Sequence, residues 1–137
     1  PSGMIAVDTN LLVYAHREDS PHHHAASALL RDLATGPGSW AIPWPCVHEF
    51  LAVVTHPRIY SPPSSPAVAL AAIAALNTLP NVTFLHETTT HLDVVGARIH
   101  DARIAAICLA NGVSELWSAD RDFTWFPALK TKNPLAH

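Results

Sequence analysis

Residues 4–15 read MIAVDTNLLVYA, and this stretch decides the interpretation of the fold. Its first four residues are apolar and typical of a buried strand, and the chain then turns at Asp8, Thr9 and Asn10. From Leu11 onward the spacing of apolar residues predicts a helix. A strand that passes directly into a helix is the opening unit of an α/β fold, and here it leaves Asp8 at the carboxyl end of the strand.

The same alternation of strands and helices continues along the chain. Further strands are predicted at 40–42, 82–85 and 116–118. Helices are predicted at about 21–34, 46–56, 67–77, 90–99 and 101–110. Ser20 is predicted to cap the helix at 21–34, with Pro21 in its first position. Because no internal repeat interrupts this order, the pattern predicts an α/β fold with a central, mainly parallel sheet of four or five short strands flanked by helices.

Length and composition limit the classes of protein to consider. The chain has 137 residues, 49% of them hydrophobic, so one domain over 4–137 is expected, and residues 1–3 resemble the remnant of an expression tag. The longest apolar run, at 67–76, is about half of the roughly 20 residues that a membrane-spanning helix needs, so a cytoplasmic protein is expected. A net charge of -3 excludes a generally basic surface that binds polyanions.

Four acidic residues lie at positions that a parallel sheet brings together. Asp8 and Asp120 follow predicted strands, and Glu49 and Asp101 lie in the first turns of predicted helices. Ligands of open α/β sheets bind outside the carboxyl ends of the strands. Carboxylates that meet there repel one another unless a cation lies between them, and oxygen ligands favour Mg2+ or Mn2+ over zinc. Such an ion activates water and polarises phosphate, which indicates phosphodiester hydrolysis.

Each acid also has a structural interpretation when it is considered alone. Asp8 has the residue type of a simple helix N-cap. Glu49 and Asp101 have the type of an exposed first-turn acid that the helix dipole stabilises. Asp120 and Asp122 are typical of a turn. The hypothesis of a metal site therefore depends on the whole set of acids rather than on any one of them.

Four segments together resemble the PIN-domain ribonucleases, and within them the VapC toxins of bacterial toxin–antitoxin pairs. They are MIAVDTNLLVYA with Asp8, VHEFLAVVTHP with Glu49, HDARIAAICLANGV with Asp101 and SADRDF with Asp120. The resemblance spans essentially the whole chain. DTN alone is a weak motif, whereas HDARIAAICLANG followed by SADRDF is specific.

The resemblance implies a PIN-like three-layer fold and a metal-dependent endoribonuclease. It implies that five acids bind Mg2+ or Mn2+, the first four of them catalytic and the last assisting: Asp8, Glu49, Asp101, Asp120 and Asp122. Ser118 stands where many relatives have threonine, and its hydroxyl can still orient a ligand or water. Because all four catalytic acids are present, the sequence does not resemble an inactivated relative.

The resemblance also implies partners. These are a cognate VapB-type antitoxin that covers the site, a second copy of the chain in a homodimer, and structured RNA such as tRNA or ribosomal RNA as substrate. A further hypothesis is that the dimer pools basic side chains along one groove: Arg17, Arg31, Arg98, Arg103 and Arg121. Arg121 either pairs with the neighbouring aspartates or binds substrate phosphate. The irregular loop at 58–66 is a further candidate contact for RNA or antitoxin.

The histidines and cysteines have simpler interpretations. His22, His23 and His24 point in different directions if they lie on a helix, so a solvated helix start is expected rather than a metal site. Cys46 and Cys108 lie in apolar stretches without a partner cysteine at metal-binding spacing, and buried free thiols are expected.

Two alternatives to a nuclease differ in chemistry. In a phosphatase of the haloacid-dehalogenase kind an acid would stand two residues after Asp8, where this chain has Asn10, and no suitable lysine follows. A non-catalytic module that binds RNA or protein on the same fold would not need the acids. The tryptophans are expected to pack in the core or at a dimer interface rather than to stack on bases: Trp40, Trp44, Trp117 and Trp125.

Overall fold

The computed structural model of the protein describes residues 4–86, 99–119 and 128–136. In these ranges five strands and five helices follow one another along the chain. The strands are β1 (Met4–Val7), β2 (Trp40–Pro43), β3 (Val82–Leu85), β4 (Val113–Trp117) and β5 (Thr131–Lys132), and the helices are α1 (Thr9–His16), α2 (His23–Thr35), α3 (Trp44–Val54), α4 (Pro66–Asn77) and α5 (Ile99–Ala110). One sheet holds these strands in the order β3-β2-β1-β4-β5, with every pairing parallel. The predicted α/β fold with a parallel sheet is confirmed.

The strand order reverses at the boundary between β1 and β4 in the sheet. β2 and β3 lie successively outward from one edge of β1, and β4 pairs with the other edge, where Val7 lies opposite Trp117. In open parallel sheets a crevice forms at such a reversal, outside the carboxyl ends of the strands, and ligands bind there. The residues that follow the two strands at this point are Asp8 and Ser118.

The composition of the central strands explains their position in the sheet. Ala6 and Val7 of β1 are fully buried, as are Trp40, Ala41 and Ile42 of β2. A strand that is covered on both faces needs a nearly continuous apolar run rather than an alternating one. Four helices, α1, α3, α4 and α5, add side chains to the same buried cluster, among them Leu11, Leu12, Val47, Phe50, Val54, Ala69, Ile73, Ile104 and Ile107. The core therefore lies directly beneath the crevice.

The boundaries of β1, β2 and β3 follow the prediction closely, whereas α2, β4 and β5 differ from it. β4 begins at Val113, three residues earlier than predicted, and the two exposed residues of β5 carry too little apolar pattern to predict a strand. α2 begins at His23 rather than at residue 21, because the Ser20 hydroxyl accepts a hydrogen bond from His22 N and closes a turn before the helix. No helix in the described part of the chain is long and apolar enough to cross a membrane.

The start of α3 changes the place of one candidate site residue. α3 begins at Trp44 rather than at residue 46, with Pro45 in its first turn, where the missing proline N–H is tolerated. Glu49 consequently lies in the second turn, so the prediction of a first-turn position was wrong. Asp101 does lie in the first turn of α5, as predicted. The helix predicted at 90–99 lies outside the described residues except for Ile99, which begins α5.

Candidate functional site

Asp8 occupies the end of β1, directly beside the reversal of strand order. Asp8 N donates a hydrogen bond of 2.9 Å to Trp117 O, which extends the ladder between β1 and β4 by one residue. The side chain is fully buried and caps α1, with Thr9 N donating to Oδ1 at 2.8 Å. Asp8 is therefore the N-cap of α1, as its residue type suggested. Capping alone does not explain why the carboxylate is completely buried.

Two side chains from other elements also donate to the Asp8 carboxylate. The Ser118 hydroxyl, at the end of β4, donates to Oδ2 at 2.8 Å. The Cys46 thiol, in the first turn of α3, donates to Oδ1 at 3.3 Å. A buried carboxylate is costly unless its lone pairs are satisfied and its charge is balanced. These donors satisfy part of the requirement and hold the carboxylate in one orientation.

Sequence reasoning missed the role of Cys46. It treated both cysteines as buried thiols, and both are free and fully buried. Nothing in the apolar stretch around Cys46 distinguishes a thiol that contacts a carboxylate from one that only fills the core. Burial, together with the negative charge of Asp8, raises the pKa of the Cys108 thiol to about 12. Cys108 therefore stays protonated at any ordinary working pH.

The chain that leads towards residue 120 is fixed beside Asp8. Asn10 Oδ1 accepts a hydrogen bond from Ala119 N at 3.2 Å, and Asn133 Nδ2 donates to Ala119 O at 2.9 Å. Ser118 N donates to Lys132 O at 2.9 Å, next to β5. Ala119 is thus held by α1 and by the residue that follows β5. Asp120, Arg121 and Asp122 lie outside the described residues, and their predicted roles stay predictions.

Glu49 approaches the crevice from α3. It is half-buried and lines a cavity of about 250 Å³ together with Thr9 and Asn10, the two residues that follow Asp8. Asp101 is half-buried in the first turn of α5. Within 4–86, 99–119 and 128–136, no three Asp, Glu, His or Cys side chains are arranged to hold a metal ion together.

The chemistry of the donor set suits a hard divalent cation. Asp8 and Glu49 supply carboxylate oxygens, which Mg2+ and Mn2+ prefer, whereas zinc prefers histidine and cysteine. A carboxylate offers about four lone-pair positions, so groups of this type can accept hydrogen bonds and bind a cation through the same two oxygens. The described residues alone do not complete a ligand set. Of the five predicted ligands, Asp120 and Asp122 lie outside the described residues.

The other predicted features are occupied by structural contacts. His23 Nδ1 lies 3.0 Å from Tyr14 O, whereas His22 and His24 are exposed, so the three rings do not converge. Trp40 is buried and donates to Asn81, as expected of a core residue. Trp44 and Trp117 are half-buried and pack against the core from outside, with Trp44 against Phe84 and Trp117 donating to Glu115. Trp125 lies outside the described residues.

The hypothesis of a pooled arginine groove stays a prediction. Arg98 and Arg121 lie outside the described residues. Arg17 makes two hydrogen bonds to Asp19, at 2.6 and 2.9 Å, so its charge is already paired locally. Arg31 and Arg103 are exposed, on α2 and α5 respectively.

Comparison with known sequences gives a consistent result over nearly the whole chain. Residues 5–128 match the family described as PIN domain. The chain is 30% identical to Ribonuclease VapC48 of Mycobacterium tuberculosis over 94% of this chain and 96% of that protein. It is 36% identical to VapC ribonuclease Mb2897 of Mycobacterium bovis over 96% of each chain.

Comparison with solved structures identifies the same fold. A crystal structure of VapBC2 from Rickettsia felis, bound to a DNA fragment from the promoter, aligns with a TM-score of 0.64 at 19% identity, covering 95% of this chain and 98% of that one. VapC20 of Mycobacterium tuberculosis, described as a toxin that cleaves the sarcin-ricin loop, aligns with a TM-score of 0.60 at 20% identity, covering 88% and 93%. At these identities the likeness shows a shared fold.

Proposed function

This chain belongs to the PIN domain family, as one of its VapC ribonucleases, and we propose that it hydrolyses phosphodiester bonds in structured RNA such as tRNA or ribosomal RNA. The family's toxin endoribonucleases depend on a divalent metal ion. The observation that carries the proposal for this chain is the fully buried Asp8 carboxylate at the reversal between β1 and β4. A buried negative charge at that position is stabilised by a bound cation.

We propose that the ion is Mg2+ or Mn2+. The proposed ligands are the acids that the sequence predicts: Asp8, Glu49, Asp101, Asp120 and, as an assisting ligand, Asp122. When bound, such an ion polarises a phosphate and lowers the pKa of a water molecule. The oxygen-only donor set and the placement of Glu49 beside Thr9 and Asn10 support this assignment.

The residues around Asp8 would contribute positioning rather than chemistry. Ser118 of the β4 end and Cys46 of α3 hold the carboxylate at Oδ2 and Oδ1, so its orientation would be set before substrate binds. Asn10 holds Ala119 and with it the start of the segment that carries Asp120. Preorganisation of this kind reduces the structural change that is needed as the reaction begins.

The proposed biological role is that of the toxin in a toxin–antitoxin pair, with a VapB-type antitoxin as partner. A homodimer, one PIN domain over 4–137 and a cytoplasmic location belong to the same proposal. The VapBC2 structure, which contains a toxin of this fold, supports the antitoxin partner. The runner-up function is a non-catalytic module that binds RNA or protein.

A cleavage assay with mixed RNA tests the proposal. The protein, free of any partner, is incubated with total tRNA and ribosomal RNA in Mg2+ or Mn2+, with EDTA as control. We expect discrete fragments that EDTA abolishes and that Asp8→Asn reduces by more than about 100-fold, beyond the usual effect of a residue that only supports a metal ligand. Asp32→Asn, an exposed aspartate on α2, is the matched control and should cleave normally.

The same assay decides between the two candidate functions. Intact RNA in every lane, with folding shown by circular dichroism and Mn2+ binding by calorimetry, would support the non-catalytic module. Fragments that persist in EDTA or in Asp8→Asn would contradict the metal mechanism while leaving the ribonuclease assignment in place.

A further inference from the structure

The cavity beside Glu49 contains more than the chemistry of a metal site requires. Thr9, Asn10 and Glu49 are its polar lining, and the remaining lining is apolar or aromatic: Val13, Tyr14, Val53 and Tyr60. Its volume of about 250 Å³ is below the roughly 300–1,000 Å³ of a site for a drug-sized ligand. We refer to it as the tyrosine cavity.

A buried hydroxyl in this lining lacks a hydrogen-bond partner. Thr9 is 3% exposed, and among the described residues its Oγ1 neither donates nor accepts a hydrogen bond. Buried hydroxyls are almost always paired, because leaving one unpaired costs free energy. The unpaired Thr9 hydroxyl lies next to Asp8, a proposed catalytic residue, and this position indicates that a bound ligand supplies its hydrogen bond. Asn10 adds further donors, since within the described part of the chain its Oδ1 accepts from Ala119 N and its Nδ2 makes no hydrogen bond.

Tyr60 is held in place by a chain of contacts that starts at the end of α1. The Arg17 guanidinium lies 4.2 Å from the centre of the Tyr60 ring. Arg17 is in turn fixed by its two bonds to Asp19 and by donation to the Ser64 hydroxyl at 3.2 Å. Burial raises the pKa of Tyr60, so its hydroxyl stays neutral. The ring is thus preorganised although it belongs to the irregular loop at 58–66.

The lining favours a flat, uncharged ligand. It contains no cationic side chain that would bind a phosphate group directly. Proteins that read single-stranded RNA stack unpaired bases on aromatic side chains and bind the base edges by hydrogen bonds. Two tyrosines together with the Thr9 hydroxyl and the Asn10 amide provide both kinds of contact.

We propose that the tyrosine cavity binds one base of the RNA substrate, adjacent to the phosphate that is cleaved. Tyr60 and Tyr14 would stack on the base, and Thr9 Oγ1 and Asn10 Nδ2 would bind its edge and so select among bases. This inference rests on the proposed ribonuclease function. It adds a specificity-determining site that borders the proposed metal site, with Glu49 common to both.

The test uses a short synthetic oligoribonucleotide that copies a cleavage site mapped with the wild-type protein. Each nucleotide flanking the cut is replaced in turn by an abasic ribose, and kcat and KM are measured. We expect one abasic position to raise KM on the order of tenfold, the size of a lost base stack. Tyr60→Leu should raise KM similarly for the intact oligonucleotide, whereas Tyr60→Phe should not. The two losses should not add, because each removes the same contact.

A second variant separates binding from folding. Thr9→Val keeps the shape of the side chain and removes only the unpaired hydroxyl, so the melting temperature should stay level or rise. Its KM should nevertheless increase, and its preference among bases at the sensitive position should weaken. Thr83→Val, at an exposed position of β3, is the matched control and should leave KM unchanged.

The outcomes distinguish the two proposals. If the wild-type protein cleaves none of the RNA, the proposed function fails and the base-binding proposal fails with it. If the wild-type protein cleaves but Tyr60→Leu and Thr9→Val keep its KM and its sensitivity to the abasic position, only the base-binding proposal is overturned. The base-binding proposal is supported if a single abasic position raises the KM of the wild-type protein and if the same position has no such effect in Tyr60→Leu or Thr9→Val.

Discussion

The crevice at Asp8 and the tyrosine cavity are neighbours, yet they are held together by different parts of the fold. The strand pairing of β1 with β4 places Asp8 and Ser118 side by side, so backbone hydrogen bonds determine the crevice. The position of Tyr60 depends on side-chain contacts from Arg17, at the end of α1. Substitutions in the crevice should therefore change the chemical step, whereas substitutions beside the cavity should change the affinity for substrate.

The largest effect among the supporting residues is expected at Ser118. Ser118→Ala removes the 2.8 Å hydrogen bond to Asp8 Oδ2 from a buried carboxylate. Loss of a partner that orients a metal ligand typically costs about 10–100-fold in activity or metal affinity. We expect a fall of that order in kcat, with little change in KM, in the oligoribonucleotide assay. Ser118→Thr keeps the hydroxyl and should retain activity; equal loss in both variants would contradict an orienting role.

A smaller effect of the same kind is expected at Cys46. Its thiol is a weaker donor than a hydroxyl and lies 3.3 Å from Asp8 Oδ1. Cys46→Ala should lower kcat by roughly tenfold, at the lower end of effects from residues that support a ligand. Cys46→Ser supplies a donor again and should recover part of the loss. Cys108→Ala empties a similar buried volume and is the matched control, with kcat close to wild type.

Arg17 tests the prediction that substitutions beside the tyrosine cavity change the affinity for substrate. Arg17→Met keeps much of the aliphatic stem but removes the cation above Tyr60 and the pair with Asp19. A cation–π contact near the surface contributes about 0.5–1 kcal/mol, so KM should rise roughly two- to fivefold while kcat stays unchanged. Arg31→Met, at an exposed position of α2, should change neither constant. A fall in kcat instead would show that Arg17 acts on the crevice.

The smallest effect at working pH is expected at Cys108. Its folded-state pKa is about 12, raised from an ordinary value of 9.0 by burial and by Asp8. A raised pKa contributes stability that is fully present below pH 9 and is lost as the pH rises towards 12, because the unfolded thiol ionises first. The melting temperature should therefore fall more steeply above pH 9 in wild type than in Cys108→Ala. Parallel curves for the two proteins would contradict this assignment.

Local pattern was sufficient for much of the fold. The apolar runs of β1 and β3 and the turn after Val7 identify strands and place Asp8 at a strand end without any knowledge of tertiary contacts. The start of α3 was misplaced, because two prolines close together, Pro43 and Pro45, are compatible with several helix starts. Only the packed structure shows that Glu49 lies in the second turn.

The sequence by itself determined the α/β alternation, the resemblance to a nuclease family and the acids that are candidates for metal binding. It did not reveal the thiol of Cys46 on Asp8, the unpaired hydroxyl of Thr9 or the stacking of Arg17 on Tyr60. Each of these is a contact, or the lack of one, that depends on the packing of elements distant in the chain. Sequence patterns report the secondary structure and burial of nearby residues, whereas which distant side chains meet is decided by strand order and helix packing.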